Sequence, residues 1–245
     1  MDVKRTFDIL WLLKEKYPRE DILAYKVNGA WQKYNCEEYF LNSHYIAAAL
    51  LELGYKRGDH IATVLQSSPQ WNFLDMGMSL AGIVHVPVYN NISEEEYEYI
   101  FSHSDAKAVF VNDKLLLQRI SSSVHKTANI KAVYTVERTE GLLSIDDLLE
   151  TGRSNLEKYS AQLSLLRNEI RPDDLLTIIY TSGTTGNPKG VMLTHNNLVT
   201  NLIATAAIQP LLYGHKVLSF LPLCHVFERM MNYHWPALPL SADLF

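Results

Sequence analysis

The chain has 245 residues, 47% of them apolar and 20% charged, a balance that suits a folded protein with a sizeable core and excludes a disordered or low-complexity chain. Its 22 Lys+Arg against 27 Asp+Glu give a formal net charge of -5 with no basic cluster, so nucleic acid is excluded as an expected partner. No apolar run reaches the roughly 18 residues of a membrane-spanning helix, and charges interrupt the first twenty residues where a signal peptide would need a continuous apolar stretch.

In chain order, Thr6 is placed to cap an amphipathic helix that stops at Pro18. Residues 22–25 and 31–34 flank Asn28-Gly29, a strong hairpin signal. Asn35 and Glu38 form a capping-box pattern before a helix that reaches Leu53 and stops at Gly54. A strand over 60–66, a helix opened by Ser68-Pro69 and a strand over 83–89 follow. The rhythm then repeats: Ser93 and Glu96 cap a helix, 106–112 reads as a buried strand, a helix starts at Asp113, and 130–137 reads as another strand. This alternation predicts an α/β fold, a doubly wound, mostly parallel sheet with flanking helices. Residues 139–171 are charged and helical in pattern with no strand, which suggests an N-terminal α/β subdomain over 1–165 and a second subdomain over 166–245.

The second subdomain opens with the apolar run LLTIIY, and Tyr180 to Gly190 then reads YTSGTTGNPKG. Three glycines let backbone amides approach a ligand, four hydroxyls add neutral donors, Lys189 adds one positive charge, and no acidic residue intervenes. Such a loop at the carboxyl end of a strand suits a polyphosphate. It is not the P-loop G-x-x-x-x-G-K-[ST]: counted from Gly183, Lys189 takes the lysine position, but Pro188 replaces the preceding glycine and Gly190 the metal-binding hydroxyl. Cys224 beside His225 does not make a thiol nucleophile, because neighbours in extended chain point apart. Glu94 to Glu96 read as an acidic first helical turn, and His85 as a core or edge histidine. Glu228-Arg229 is open between a functional role and a structural ion pair at a helix start. Cys36 and Cys224 are too few for a disulfide framework, which makes a reducing cytoplasm the simplest compartment.

The Tyr180 to Gly190 segment resembles, nearly residue for residue, the phosphate-loop signature of the adenylate-forming (AMP-binding) superfamily, with VMLTHNNL continuing it. LPLCHVFER, Leu221 to Arg229, is similar to the histidine-containing motif of that family, and its Phe-Glu-Arg to the long-chain fatty acyl-CoA synthetase branch. Residues 58–111 also look like the family's N-terminal region. The resemblance implies an ATP-dependent ligase that makes an acyl-adenylate from a long-chain fatty acid and passes the acyl group to coenzyme A. It implies that Thr181, Ser182, Gly183, Thr184, Thr185, Gly186 and Lys189 contact the β- and γ-phosphates of ATP, that Thr184 is a magnesium ligand, and that His225 is catalytic beside the carboxylate and the α-phosphate. The implied location is cytoplasmic, with peripheral contact at the inner membrane face left open.

The family's Tyr-Gly-x-Thr-Glu motif, its ribose-binding aspartate and its C-terminal lysine domain have no counterpart in these residues, and PALPLSADLF after Trp235 no longer resembles it. The chain therefore resembles the N-terminal portion of such an enzyme, expected to be inactive by itself, with coenzyme A engaged through regions it does not contain. A non-catalytic nucleotide- or acyl-binding protein of the same fold, or a ligase for another carboxylic acid, remain as alternatives.

Overall fold

A computed structural model describes residues 3–181, 186–206 and 215–237, the last three by backbone alone. Helix α1 (Asp8–Lys16) leads into a hairpin of β1 (Leu23–Val27) and β2 (Ala30–Tyr34), which Asn28 and Gly29 close at φ 49° and 84°. Both central residues have positive φ, the backbone an Asn-Gly hairpin turn requires. Helix α2 (Cys36–Glu52) begins at the expected capping box, with Asn35 Oδ1 accepting the Glu38 amide at 2.8 Å and Glu38 Oε2 accepting the Asn35 amide at 2.7 Å.

Strands and helices then alternate through β3 (His60–Val64), α3 (Pro69–Ala81), β4 (Val84–Pro87), α4 (Glu94–His103), β5 (Ala106–Val111), α5 (Lys114–Lys126) and β6 (Ala132–Thr135). They continue through β7 (Leu143–Ser144), α6 (Ile145–Glu169), β8 (Leu175–Thr181), β9 (Lys189–Thr194), α7 (His195–Ala206) and α8 (Val226–Ala237). One seven-stranded sheet has the order β7-β6-β5-β3-β4-β8-β9, parallel except for β9, which pairs antiparallel with β8. Side-chain alternation splits the core between the two sheet faces. Ile61, Ala108 and Phe110 join a cluster with α1, α2, α3 and α6, while Ala62, Val64, Val109 and Val111 join one with α4 and α5. Burial on both faces is why these strands read as apolar runs.

Two expectations change. Thr6 does not cap α1: it is buried, and its Oγ1 lies 3.0 Å from both Ser79 Oγ and His195 Nδ1. Asp8 serves that helix start instead, accepting the amides of Lys4 at 3.1 Å and Arg5 at 2.9 Å. Residues 139–171 do contain a strand, β7, whose two residues are too short for any periodicity to register. Residues 165 and 166 both lie in α6, and β8 beyond it pairs with β4 at His85↔Thr177 in the common sheet.

Close helix packing depends on absent side chains. A Cβ on Gly152 of α6 would come within 1.8 Å of the Tyr45 carbonyl oxygen on α2, and one on Gly77 of α3 within 2.5 Å of Ile46 Cγ2. The clash at Gly152 is with backbone, so the helices themselves would have to move apart.

A polar group in the interior ties α8 to the sheet. Asp75 on α3 accepts from Arg229 Nη2 at 2.6 Å and Nε at 3.2 Å, from His85 Nδ1 at 2.7 Å, and from the Tyr233 hydroxyl. Thr63 Oγ1 lies 2.7 Å from His85 Nε2. Asp75 is 1% exposed and Arg229 0%. Burial alone would raise the Asp75 carboxyl, but the Arg229 charge and the bonds from His85 and Tyr233 outweigh it and hold the group below its usual range. Burial drives His85 downward, so it is the neutral imidazole that donates Nδ1–H to Asp75 and accepts from Thr63.

Three measurements check this account. Gly152→Ala is expected to lower the free energy of urea unfolding by about 1–3 kcal/mol, because helix displacement outweighs alanine's better propensity of about 1 kcal/mol. Asp75→Asn is expected to cost about 3–5 kcal/mol by leaving Arg229 buried without its counter-charge, and the double change Asp75→Leu with Arg229→Met to recover most of that. Acid titration reports His195, which burial pushes down to about 4, with Arg5 adding to the effect. The unfolded chain, with an imidazole near 6.5, binds that proton more tightly, so stability is complete above pH 6.5 and falls by about 3 kcal/mol as pH drops toward 4. His195→Gln is expected to flatten that part of the pH–stability curve, and an unchanged curve would remove His195 as its cause.

Candidate nucleotide-binding site

Strand β8 carries LLTIIYT, buried from Leu176 to Tyr180, through the sheet to its carboxyl edge, where Thr181 is exposed. The chain returns as β9 in the register Thr181↔Lys189, Tyr180↔Gly190 and Ile179↔Val191, so residues 182–188 join two antiparallel strands. Ser182, Gly183, Thr184 and Thr185 lie outside the described residues. Gly186 has φ 104°, and an added Cβ would meet nothing within 4 Å. Glycine is required there for backbone conformation, not for space. Lys189 is the exposed first residue of β9 and makes no ion pair among the described residues.

The ends of the motif have a different task. A Cβ on Gly190 would stand 2.9 Å from Ile178 Cγ2 and 3.2 Å from Tyr180 Cζ, so this glycine makes room for the two side chains that β8 presents to β9. The Tyr180 hydroxyl lies 2.7 Å from His103 Nδ1 at the end of α4, and burial raises it to about 12, which keeps it a phenol. Further on, Thr194 accepts the Asn197 amide at 3.2 Å while Asn197 Oδ1 accepts the Thr194 amide at 2.9 Å, a reciprocal start for α7. His195 is buried, with Nδ1 taking the Thr6 amide at 3.3 Å. Tyr180 and Gly190 thus form a packed base under the loop, whereas Thr194, paired with Leu175, and His195 lie at the amino edge of the sheet.

The histidine motif comes to the same edge of the sheet. Beyond the carboxyl end of β3, Ser67 Oγ donates to the Leu221 carbonyl at 3.1 Å and accepts the Leu223 amide at 3.1 Å. A turn closed by the His225 amide on the Pro222 carbonyl at 2.9 Å then starts α8. His225 is exposed at the head of that helix, where its carbonyl accepts the Arg229 amide at 3.1 Å and its Nδ1 accepts the Phe227 amide at 3.2 Å. The ring therefore caps one orphan amide and keeps Nε2 for an outside partner. β4 lies between β3 and β8, so the two motifs occupy neighbouring stations of one edge.

Two readings of this motif are settled by its surroundings. Cys224 is buried and burial pushes its thiol up to about 12, so it is not a nucleophile activated by the exposed His225. Glu228 and Arg229 do not pair with each other as a helix-start ion pair. Glu228 accepts from Ser219 Oγ at 2.5 Å, whereas Arg229 pairs with Asp75 across 154 positions of sequence.

Sequence reasoning missed the Asp75 cluster, since no local pattern connects α3 with α8. Thr63, His85 and Asp75 have the connectivity of a hydroxyl–imidazole–carboxylate triad, but all three are buried at 1% exposure or less, which leaves no access for a substrate. A cavity of about 220 Å³ lies at the opposite, amino edge, between Arg57, His60, Asp174 and His195. Arg57 is occupied there by Asp174 at 2.5 Å. No group of three or more His, Cys, Asp or Glu able to hold a metal occurs among the described residues.

The carboxyl-edge residues fit an anionic ligand: a glycine at positive φ, a lysine with no ion pair among the described residues, and an imidazole with Nε2 to spare. The comparisons with known proteins give the family and the fold. The AMP-binding enzyme family matches residues 13–238. The long-chain-fatty-acid–CoA ligase FadD15 of Mycobacterium bovis is 31% identical over 212 residues, 84% of this chain and 34% of the ligase, so the chain spans about a third of that relative's length. A long-chain-fatty-acid-CoA ligase (FadD1) from Archaeoglobus fulgidus superposes with a TM-score of 0.78 at 20% identity, over 97% of this chain and 46% of that one. The N-terminal domain of FACL13 from Mycobacterium tuberculosis gives 0.75 at 22% identity, over 98% and 55%. The two superpositions establish the fold, and with a family match over nearly the whole length the chain belongs to the AMP-binding enzyme family.

Proposed function

We propose that these residues carry the ATP-binding part of a ligase that activates a long-chain fatty acid and transfers it to coenzyme A. The observation that carries the reading is the β8–β9 connection, with Gly186 at positive φ and Lys189 without an ion pair among the described residues, and with His225 on the same sheet edge. In this reading a fatty-acid carboxylate oxygen attacks the α-phosphorus of ATP, a P–O bond forms, and the bond to pyrophosphate breaks. The coenzyme A thiol then attacks the acyl carbon and AMP leaves, with the thiol proton passing to solvent.

Negative charge grows on the departing pyrophosphate, so fixed donors around the β- and γ-phosphates lower the barrier of the first step. Thr181, Ser182, Gly183, Thr184, Thr185 and Gly186 supply amides and hydroxyls there, and Lys189 supplies the charge. Magnesium, which lessens the phosphate charge, is assigned to Thr184. His225 donates Nε2–H toward the carboxylate and α-phosphate oxygens and aligns them for attack. The packed base of Tyr180 and Gly190 holds the two ends of the loop at a fixed separation, so these donors need little reorganisation. We assign the reaction to the cytoplasm, in keeping with Cys36 and Cys224, both free thiols.

The test is Lys189→Ala in a chain extended to the relatives' length. Loss of one charge-assisted contact of roughly 1.5–3 kcal/mol is expected to weaken ATP use by about 10- to 100-fold, read as fatty-acid-dependent exchange of labelled pyrophosphate into ATP, with fatty-acid affinity unchanged. Equal loss for both substrates would overturn the phosphate role.

A further inference from the structure

The β1–β2 hairpin has two unlike faces. Residues paired across an antiparallel ladder share a face, and the register pairs Leu23 with Tyr34 and Tyr25 with Gln32. That face turns inward: the Tyr34 ring meets Phe73 edge-on at 5.1 Å, and Gln70 Nε2 donates to the Tyr25 hydroxyl at 3.3 Å. The pairs Lys26↔Trp31 and Ala24↔Lys33 make up the outer face, and all four residues are exposed. Trp31 is 60% exposed.

Neither Lys26 nor Lys33 has a carboxylate partner among the described residues. Elsewhere Lys14 pairs with Glu37, Lys107 with Asp59, Lys126 with Glu98, Lys158 with Glu52 and Lys216 with Asp21. In a chain with net charge -5, two unpaired ammonium groups on either side of an exposed indole form a local cationic face. The Asn28-Gly29 turn fixes the register that presents it.

We propose that this outer hairpin face is a contact surface for an anionic lipid bilayer. An indole settles at headgroup depth, where its ring leaves water and its N–H keeps a polar partner, and lysine stems lie along the same boundary while their ammonium groups reach lipid phosphates. Trp31 and Ala24 are the only apolar members of the face, too little for the desolvated core of a protein interface of about 800 Å² a side. A nucleic-acid site would need more positive charge than two lysines. One indole and two lysines give a weak, reversible contact, with each lysine contributing about fivefold in partitioning. This inference does not depend on the chemistry proposed for the loop.

The experiment mixes the chain with vesicles of phosphatidylglycerol and phosphatidylcholine, or of phosphatidylcholine alone, and measures co-sedimentation and indole emission. Binding to the anionic vesicles, a blue shift, and weakening in high salt are expected. Lys26→Gln with Lys33→Gln is expected to reduce partitioning about 25-fold, and Trp31→Ser to abolish the blue shift, whereas Trp31→Tyr keeps most of the binding. Thermal melts of all variants should match the parent chain, since the substituted side chains point to solvent. Partitioning unchanged in the variants would assign lipid contact to other exposed apolar residues such as Leu218 and Phe220 and overturn the proposal, as would equal binding to both vesicle types.

Discussion

The ion pair between Asp75 and Arg229 is the constraint on which the candidate site's geometry depends. Removing a guanidinium and a carboxylate from water is expensive, and their attraction offsets that only when geometry is good and the remaining bonds are filled. Asp75, on α3, meets its side of this condition with bonds from His85 on β4 and from Arg229 and Tyr233 on α8, while Arg229 Nη1 is buried with no partner among the described residues. An apolar contact could slide along α8 at little cost. A two-point guanidinium–carboxylate contact has one best register, so α8 is fixed in rotation and height, and with it His225, one turn before Arg229. The pair contributes less to net stability than to the choice of one position.

The parallel sheet makes the other half of the arrangement. Because β3, β4 and β8 run the same way, their carboxyl ends share one edge, and the segments that follow β3 and β8 emerge on it with one strand, β4, between them. The buried pair then returns α8, far along the chain, to that edge. Topology supplies the neighbourhood, and the pair supplies the orientation.

Much of this was legible in the sequence, for local reasons. The Asn28-Gly29 turn, the capping boxes at Asn35 and Ser93, and the apolar strands β3 and β5 depend on residues close together in the chain. The signature from Tyr180 to Gly190 was legible in the same way, as local composition, and the family match agrees with it, although Tyr180 and Gly190 at its ends pack against their neighbours. What escaped was non-local or too small. Thr6 has the chemistry of a helix cap, yet Ser79 and His195 take its hydroxyl, and that competition is invisible until the fold brings α3 and α7 to α1. Arg229 has an acidic neighbour in Glu228, so a local reading pairs them. Burial decides otherwise, since a guanidinium at 0% exposure needs a partner already in the core, and Asp75 is there.

The treatment of cations separates structure from function across the molecule. Arg229 is enclosed and held by Asp75 and Tyr233, and Arg57, Lys107 and Lys158 are matched with carboxylates at the surface. Lys189, Lys26 and Lys33 have no such match among the described residues, although acidic side chains outnumber basic ones in the chain. In an acidic protein a neighbouring carboxylate is easily found, and an unmatched lysine keeps its positive potential directed at whatever approaches from solvent. At Lys189 a glycine at positive φ stands in the same loop, which suits a compact anion; on the hairpin an indole stands between the charges, which suits an extended, amphipathic surface. In the two contacts proposed above, the same charge serves different ligands because of the residue type placed beside it.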